Sequence, residues 1–268
     1  MHTSFSDGRL TPEELIAEAK KAGLHYIALT DHDTVDGISH LYESGLFPTK
    51  GIHIIPGIEF SAHHPLHEVH ILGYGIDIFC TSLLDKLNEV TDARWSRFSE
   101  IVEKLNGLGY AITEADVLAI AGVSKSISRS HIGRVLVKKG YFDSVRSAFK
   151  ELLSKGQPAY VPHYRLEVEE VLSLILAAEG RAVLAHPKLV YDEELVERIC
   201  QMGIDGIEVF YPQHDEDDTA HYLELAKKYG LLPAGGSDFH GFPIRYPTEI
   251  GVFTIPDEYA VPFYRAEN

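Results

Sequence analysis

The sequence predicts an α/β protein of the barrel type, with an all-helical segment inserted into it. Short apolar runs of strand length alternate with helical patterns towards both ends of the chain, whereas the middle shows helical patterns alone. The apolar runs are continuous rather than alternating, which is typical of strands that are covered on both faces. A chain of 268 residues can form one large domain or one domain with an insertion.

The first element is a helix that begins at Thr11. Thr11 can cap it, Pro12 suits the first turn, and Glu14 completes a capping box. The helix is expected to run to about Lys21 and to end at Gly23. Strand-length runs follow at residues 26–30, 52–55, 69–72, 182–185, 206–209, 231–234 and 250–254. Helical patterns alternate with the later runs at residues 168–178, 193–202 and 219–229, which implies parallel βα units.

The middle of the chain contains no convincing strand. Its helices are expected at residues 83–108, 114–121, 130–139 and 144–153, with glycines between them. We therefore expect residues 1–81 and 155–268 to form the barrel that carries the site, and residues 82–154 to form a helical insertion that covers it. The tail after Pro256 is expected to be a surface extension.

The composition excludes several classes of partner. The formal net charge of −16 argues against a surface for duplex nucleic acid, although bound cations can still attract a phosphate substrate. No apolar stretch is long enough to span a membrane, and the first residues lack the pattern of a secretory signal. Cys80 and Cys200 lie far apart, which favours two reduced thiols and a cytoplasmic protein.

Side chains that can bind metal ions cluster at the ends of predicted strands. The chain has 15 histidines, and several of them occur beside carboxylates in this position. The candidates are His2, Asp7, Asp31, His32, Asp33, Glu59, His70, His186, Asp238 and His240. Because ligands gather at the C-terminal strand ends of parallel barrels, we expect these side chains to meet at one rim.

The residue types indicate the metal and the chemistry. Imidazole and carboxylate ligands without cysteine suit Zn, Mn or Fe. A carboxylate such as Glu59 can bridge two ions, and ion pairs about 3.5–4 Å apart are typical of phosphatases and nucleases. Such ions activate a water molecule for in-line attack on phosphorus and stabilise the leaving oxygen, so no serine or cysteine nucleophile is needed.

Six motifs together resemble those of the PHP (polymerase and histidinol phosphatase) family, and they occur in the family's order. They are MHTSFSDG at residues 1–8, TDHDT at 30–34, PGIE at 56–59, His70, AHP at 185–187 and GSDFH at 236–240. The resemblance implies a distorted (β/α)7 barrel with two or three divalent metal ions. It also implies a phosphoesterase of the stand-alone bacterial subgroup with a helical insertion. These enzymes remove the 3′-phosphate from nucleoside 3′,5′-bisphosphates, and some trim short RNA from the 5′ end.

The same resemblance implies a role for each candidate except Asp31. His2, Glu59 and Asp238 would hold one ion, Glu59 would bridge to a second ion on His70 and His186, and Asp7, His32 and His240 would hold a third. The residues expected to be catalytic are Asp7, His32, Glu59, His186, Asp238 and His240. Asp33 is not a ligand by this match, and we expect it to support a ligand or to cap a helix.

The sequence departs from the family at its start. The family opens with His-x-His after a strand, and His2 matches the second histidine. The first histidine would lie one residue before Met1, and the first barrel strand would be missing from this chain. Either the start was placed at an internal methionine or the chain is truncated; alternatively, Met1 is the true start and another group fills the gap.

The insertion contains candidates for binding the substrate. Arg94 and Arg97 share a helix face, and residues 128–134 open another helix, which is a natural anion site. Arginine binds phosphate in a bidentate manner. We expect a second phosphate of the substrate to contact Arg94, Arg97, Arg129, His131 and Arg134. Trp95 could stack on a base, although the core is the commoner place for it, and Tyr160 could line the pocket.

The predicted substrate is a small phosphorylated molecule, either a nucleotide or a short oligonucleotide, with no membrane partner. Two alternatives remain at this point. A histidinol-phosphate-type phosphatase is one, and the paired arginines of the insertion argue against it. A non-catalytic metal-binding accessory module is the other, and the missing first histidine gives it some weight.

Overall fold

The computed structural model describes residues 1–64, 67–162, 164, 166–243 and 246–265. The strands are β1 (Tyr26–Leu29), β2 (His53–His63), β3 (Val69–Tyr74), β4 (Leu166–Glu167), β5 (Arg181–Leu184), β6 (Gly206–Phe210) and β7 (Leu232–Gly235). The helices are α1 (Pro12–Lys21), α2 (Asp36–Glu43), α3 (Thr81–Gly107), α4 (Glu114–Ala121), α5 (Arg129–Lys138), α6 (Val145–Ala148), α7 (Val168–Ala177), α8 (Glu193–Cys200) and α9 (Glu216–Tyr229). None of these helices is both long and apolar enough to cross a bilayer.

The strands form one curled sheet in the order β1-β2-β3-β5-β6-β7, with β4 paired to β2. The α/β class is confirmed, and the sheet has the shape of a half-barrel with many helices around it. Strand β3 runs antiparallel to β2 and to β5, so the expectation of parallel units is wrong there. Only residues 64–68 separate β2 from β3, which is too short for a parallel crossover. As a result, β3 begins at the rim where β2 ends.

Helix α1 forms as the sequence predicts. The Thr11 hydroxyl accepts a hydrogen bond from the Glu14 amide at 3.2 Å, and the Glu14 carboxylate accepts one from the Thr11 amide at 2.9 Å. Leu15 and Ala19 are fully buried against the core. The capping box thus fixes the start of the helix, and its apolar face fixes its orientation.

Three apolar clusters fill the molecule. One lies between the sheet and the barrel helices, and a second lies inside the curled sheet. The third joins the helices of residues 81–153 with Ala159 and Val161, and its members Leu105, Leu136 and Leu153 are fully buried. The middle segment therefore has an apolar core of its own.

Two expectations about the C-terminal region are wrong. Residues 250–254 form turns and bends instead of a strand, and Val252 is exposed. The tail is not merely a surface extension, because Phe263 is buried inside the curled sheet against Tyr74. Helix α2 was not predicted.

The first two residues connect the open edges of the sheet. The Met1 amine donates to the Ala28 carbonyl at 3.1 Å, and the Thr30 amide donates to the Met1 carbonyl at 3.0 Å. The His2 amide donates to the Phe239 carbonyl, beyond β7, at 2.9 Å. Among residues 1–25, all of which are described, no strand is assigned. A cleft of about 400 Å³ lies between the β1 and β7 sides of the sheet.

Candidate metal centre

The eight predicted ligands come together at one rim of the sheet, although they belong to six separate parts of the chain. They are contributed by the N-terminal segment (His2, Asp7), the residues after β1 (His32), β2 (Glu59), β3 (His70), the residues after β5 (His186) and the residues after β7 (Asp238, His240). His70 reaches this rim because it is the second residue of an antiparallel strand.

Glu59 lies at the centre of the cluster and is buried. Its Oε2 lies 3.0 Å from His2 Nε2. Its Oε1 lies 2.6 Å from His70 Nδ1 and 3.2 Å from His186 Nε2. The two carboxylate oxygens thus face different histidines, which is the geometry of a bridging ligand.

The remaining ligands form groups on either side of Glu59. His2 Nε2 lies 3.1 Å from Asp238 Oδ1, and Asp7 Oδ1 lies 3.2 Å from His240 Nε2 and 4.0 Å from His32 Nε2. Three overlapping groups have their ligand atoms within 4.8 Å of one another: His2, Asp7, His32 and His240; His32, Glu59 and His70; and His2, Glu59 and Asp238. The geometry can accommodate more than one ion.

Burial and the neighbouring carboxylates shift the pKa values of the buried imidazoles in opposite directions. Burial opposes the charged form of His2, but hydrogen bonds to Asp238 and Glu59 outweigh it and raise its pKa to about 9. The same competition between burial and Glu59 raises the pKa of His186 to about 9. Burial lowers the pKa of His32 to about 3, so this imidazole is neutral. Protonated histidines therefore neutralise the carboxylates here, a role that divalent cations fill in metal sites.

Unsatisfied polar atoms in the cluster also indicate a divalent cation as its ligand. Several buried nitrogen and oxygen atoms of the cluster have no hydrogen bond among the described residues, although such atoms are costly to leave unpaired. They are His2 Nδ1, Asp7 Oδ1, His32 Nδ1, His186 Nδ1 and His240 Nε2. Lone pairs of imidazole and carboxylate fit a divalent cation, so the residues present match a metal centre.

Asp31 holds the segment that contains His2 and Asp7. Its carboxylate accepts hydrogen bonds from the Thr3 amide and the Thr3 hydroxyl, both at 2.7 Å, and from the Ser6 hydroxyl. All of these groups are buried. Sequence reasoning placed Asp31 in a motif but gave it no task; the structure shows that it shapes the loop that presents Asp7.

Glu208 is a residue that the sequence reasoning missed. It is buried on β6, and its carboxylate accepts a hydrogen bond from the His186 amide at 2.7 Å. His186 has a φ of 29°, a conformation that needs support from its surroundings. Burial raises the pKa of Glu208 to about 8. The signal available in the sequence was a carboxylate inside the apolar run of residues 206–209.

Asp33 and Arg94 link the barrel to the helical segment. The Arg94 guanidinium forms a buried ion pair with the Asp33 carboxylate, and Asp33 also accepts a hydrogen bond from the Ser61 amide at 2.8 Å. Helix α2 begins after Val35 and has no side-chain cap. Asp33 therefore supports the residues around His32 and does not cap a helix.

A cavity of about 140 Å³ opens beside the cluster and contains three of the predicted arginines. It is lined by Asp7, His32, His70, Arg94, Arg97 and Arg129, among others. Arg97 is buried, and its Nε donates to the Val161 carbonyl at 2.9 Å. We call this space the arginine cavity.

Arg129 is held at the edge of the arginine cavity. It donates to the Leu153 carbonyl at 3.1 Å and to the Glu68 carboxylate at 2.9 Å. Its guanidinium lies over the rings of Phe149 at 5.3 Å and Tyr160 at 6.0 Å. Tyr160 thus contacts Arg129 and is not among the residues described as lining the cavity.

The remaining residues predicted to bind the substrate are not among the described residues that line the arginine cavity. His131 is buried in the cap of α5, where its Nδ1 accepts from the Ser128 amide at 3.1 Å, and burial lowers its pKa to about 4. Arg134 lies over the Phe242 ring at 5.0 Å. Trp95 is 36% exposed, contacts Phe98 edge-on and is absent from the described lining of the cavity.

The sequence of the chain is similar to those of several phosphoesterases. The PHP domain model matches residues 1–169. The chain is 34% identical to a 3′,5′-nucleoside bisphosphate phosphatase of Chromobacterium violaceum over 245 residues, which is 89% of this chain and 85% of the relative. It is 33% identical to the 5′-3′ exoribonuclease Rnm of Escherichia coli, covering 89% and 83%. It is 29% identical to a phosphoribosyl 1,2-cyclic phosphate 1,2-diphosphodiesterase of Eggerthella lenta, covering 96% and 97%.

Two crystal structures resemble the whole fold. A Bifidobacterium adolescentis protein described as a metal-dependent phosphoesterase superposes with a TM-score of 0.86 at 29% identity, covering 98% of this chain and 93% of that one. A C. violaceum protein described as an amidohydrolase, with bound sulfate, superposes with a TM-score of 0.81 at 33% identity, covering 89% and 85%.

The half-barrel and its cluster of histidines and carboxylates define a class of enzymes, the metal-dependent phosphoric ester hydrolases. Within that class, the chain belongs to the PHP family. The resemblance inferred from the six motifs is thereby confirmed.

Proposed function

We propose that the protein hydrolyses phosphomonoesters of nucleotides, in particular the 3′-phosphate of nucleoside 3′,5′-bisphosphates. The observation that supports this is the arginine cavity, which shares Asp7, His32 and His70 with the ligand cluster. A substrate with one phosphate at the cluster places a second phosphate beside Arg97 and Arg129. The relative from C. violaceum is named for such a substrate.

The charges of the cavity suit a phosphate group. The protein is strongly acidic, yet three arginines meet here. The charge of Arg94 is matched by Asp33 in a buried pair, so we assign it to docking α3 on the barrel and to shaping the cavity. Arg97 donates its Nε to a neutral carbonyl, and its guanidinium brings a positive charge to the cavity. A guanidinium in this position favours a phosphate dianion over a neutral group.

The proposed metal ligands are those that the resemblance to the PHP family implied. His2, Glu59 and Asp238 would hold one ion, Glu59, His70 and His186 a second, and Asp7, His32 and His240 a third. Mn, Zn or Fe suits these donors. When bound, such ions activate the attacking water and stabilise the leaving oxygen. Glu59 orients the histidines around them, and Asp31 and Glu208 hold the backbone of the ligand segments.

Residues 82–154 are proposed to form the lid of the site. They carry Arg94, Arg97 and Arg129 and have an apolar core of their own. Short RNA with a 5′-phosphate is a further proposed substrate, because a terminal 5′-phosphate in the arginine cavity places the next phosphate at the cluster. Three relatives are named 5′-3′ exoribonucleases.

The test compares two substrates in one variant. Arg97→Ala should raise KM for a nucleoside 3′,5′-bisphosphate by about 10- to 100-fold, the value of a charge-assisted contact of about 1.5–3 kcal/mol. KM for a simple aryl phosphate should change far less, because that substrate has no second phosphate. Lys86→Ala, on the same helix, is the matched control and should change neither value.

An equal effect on both substrates would remove Arg97 from the second-phosphate role. Faster turnover of histidinol phosphate than of any nucleotide would favour the histidinol-phosphate-type alternative. No hydrolysis of any substrate with added Mn²⁺ would favour the accessory-module alternative.

A further inference from the structure

A second cavity also borders the ligand cluster. Its volume is about 260 Å³, and it shares His32, His70 and Glu68 with the arginine cavity. The rest of its lining is Glu59, His186, Leu189, Tyr191, Tyr211 and Asp238. Among these described residues, none is an arginine or a lysine. The cluster therefore borders both the arginine cavity and this second one, which we call the tyrosine cavity.

Tyr191 combines two unfavourable features at the mouth of the tyrosine cavity. Its side chain is 81% exposed, so the ring gains little from burial. Its backbone has a φ of 56° and a ψ of 24°, a left-handed conformation that is an outlier for a bulky residue. A residue held in this way beside a site suggests contact with a ligand.

The surroundings keep Tyr191 in place. It ends the short helical turn Pro187–Val190, which begins directly after His186. Val190 is buried in the core and anchors the turn. Tyr211 forms a second aromatic wall; its hydroxyl donates to Asp238 at 3.1 Å, and its ring lies 5.5 Å from that of His186. One exposed ring and one buried ring thus flank the space beside the cluster.

We infer that the tyrosine cavity binds the nucleotide that follows the scissile phosphate of a short RNA, and that its base stacks on Tyr191. The inference rests on the proposed function. Aromatic rings bind bases of any sequence by stacking. A nucleoside 3′,5′-bisphosphate has no following nucleotide, so it leaves this cavity unused.

Hydrolysis of a dinucleotide requires a binding space for the nucleotide that follows the scissile phosphate. With the 5′-phosphate and the first nucleoside on the arginine side, water adds to phosphorus and the P–O3′ bond breaks. O3′ takes up a proton, and the first unit leaves as a nucleoside 5′-monophosphate. The phosphorus remains on O5′ of the following nucleotide as a new 5′-phosphate. The following nucleotide therefore extends from phosphorus away from the arginine cavity, and the tyrosine cavity is the space on that side.

The experiment measures kcat/KM for a 5′-phosphorylated dinucleotide and for the bisphosphate of the same first nucleoside, with Mn²⁺. Tyr191→Ala should lower the ratio of dinucleotide to bisphosphate about tenfold, within the range measured for stacking on one base. Tyr191→Phe should keep the wild-type ratio, because the ring remains. Phe79→Ala removes another exposed aromatic ring, beyond the far end of β3, and should also keep it.

A substrate change gives an independent measurement. A dinucleotide whose second unit lacks its base should be hydrolysed equally by the wild type and by Tyr191→Ala. An unchanged ratio in Tyr191→Ala, or a wild type that hydrolyses the bisphosphate but no dinucleotide, would overturn the inference and leave the proposed hydrolysis of nucleoside bisphosphates standing. A wild type that hydrolyses neither substrate would refute both.

Discussion

Replacing Asp31 by asparagine tests whether a residue that is not a ligand builds the metal centre. Asp31 accepts three buried hydrogen bonds, two from Thr3 and one from Ser6, and these fix the loop that presents Asp7. Asparagine has nearly the same shape but no charge. The perturbation therefore keeps the packing and weakens the hydrogen bonds.

The magnitude follows from these contacts. A hydrogen bond to a charged group contributes about 1.5–3 kcal/mol, against about 1 kcal/mol for a neutral one. Two of the three bonds end on Asp31 Oδ1, which asparagine retains as a neutral acceptor. Because the contributions of the three bonds are not additive, Asp31→Asn should lower the free energy of unfolding by less than their sum, about 2–3 kcal/mol. Loosening of the Asp7 loop should weaken Mn²⁺ binding by about tenfold, as for other residues that support ligands.

Two assays measure this outcome. Urea denaturation of the ion-free protein gives the free energy of unfolding, and calorimetric titration with Mn²⁺ gives the affinity. The control is Asp36→Asn, which breaks an ion pair with the exposed Lys125 and should cost no more than about 0.5 kcal/mol. If Asp31→Asn behaves like this control in both assays, our account of the loop is wrong.

Three further predictions concern the ions. Mn²⁺ at a hundredfold excess over Kd should raise the free energy of unfolding by about 2.7 kcal/mol in urea denaturation; Glu59→Gln should lose most of this gain, and an undiminished gain would exclude Glu59 as a ligand. Without ions, the protonated forms of His2 and His186, whose pKa values are raised to about 9, stabilise the fold; this stability is complete below about pH 6.5 and is lost as the pH rises to 9. Urea denaturation in the presence of a chelator should show the free energy of unfolding falling across this range, and a rise would contradict the prediction. Glu208→Ala should weaken Mn²⁺ binding about tenfold in calorimetry, while Glu208→Gln should retain most of the affinity because it can still accept from the His186 amide; equal losses would show that the carboxylate charge, rather than the hydrogen bond, matters.

The sequence alone predicted most of the elements and the candidate ligands. Capping signals and apolar periodicity predicted α1 and six of the strands, because these depend on neighbouring residues. The candidate ligands were predictable for a related reason: each occurs in a short motif, and most of these motifs lie next to strand ends that meet at one rim. Even the antiparallel course of β3 left His70 in place, because it is near the start of that strand.

Only the tertiary structure decided what those residues contact. Asp33 and Arg94 are 61 residues apart, and no local pattern shows that their charges meet. The support of His186 by Glu208, the burial of Phe263 and the exposed ring of Tyr191 are equally nonlocal. Periodicity specifies which face of an element is buried, whereas a hydrogen bond or a cavity depends on which distant segment packs against that face. For this reason the sequence predicted the candidate metal ligands, and the folded chain was needed to find the two cavities beside them.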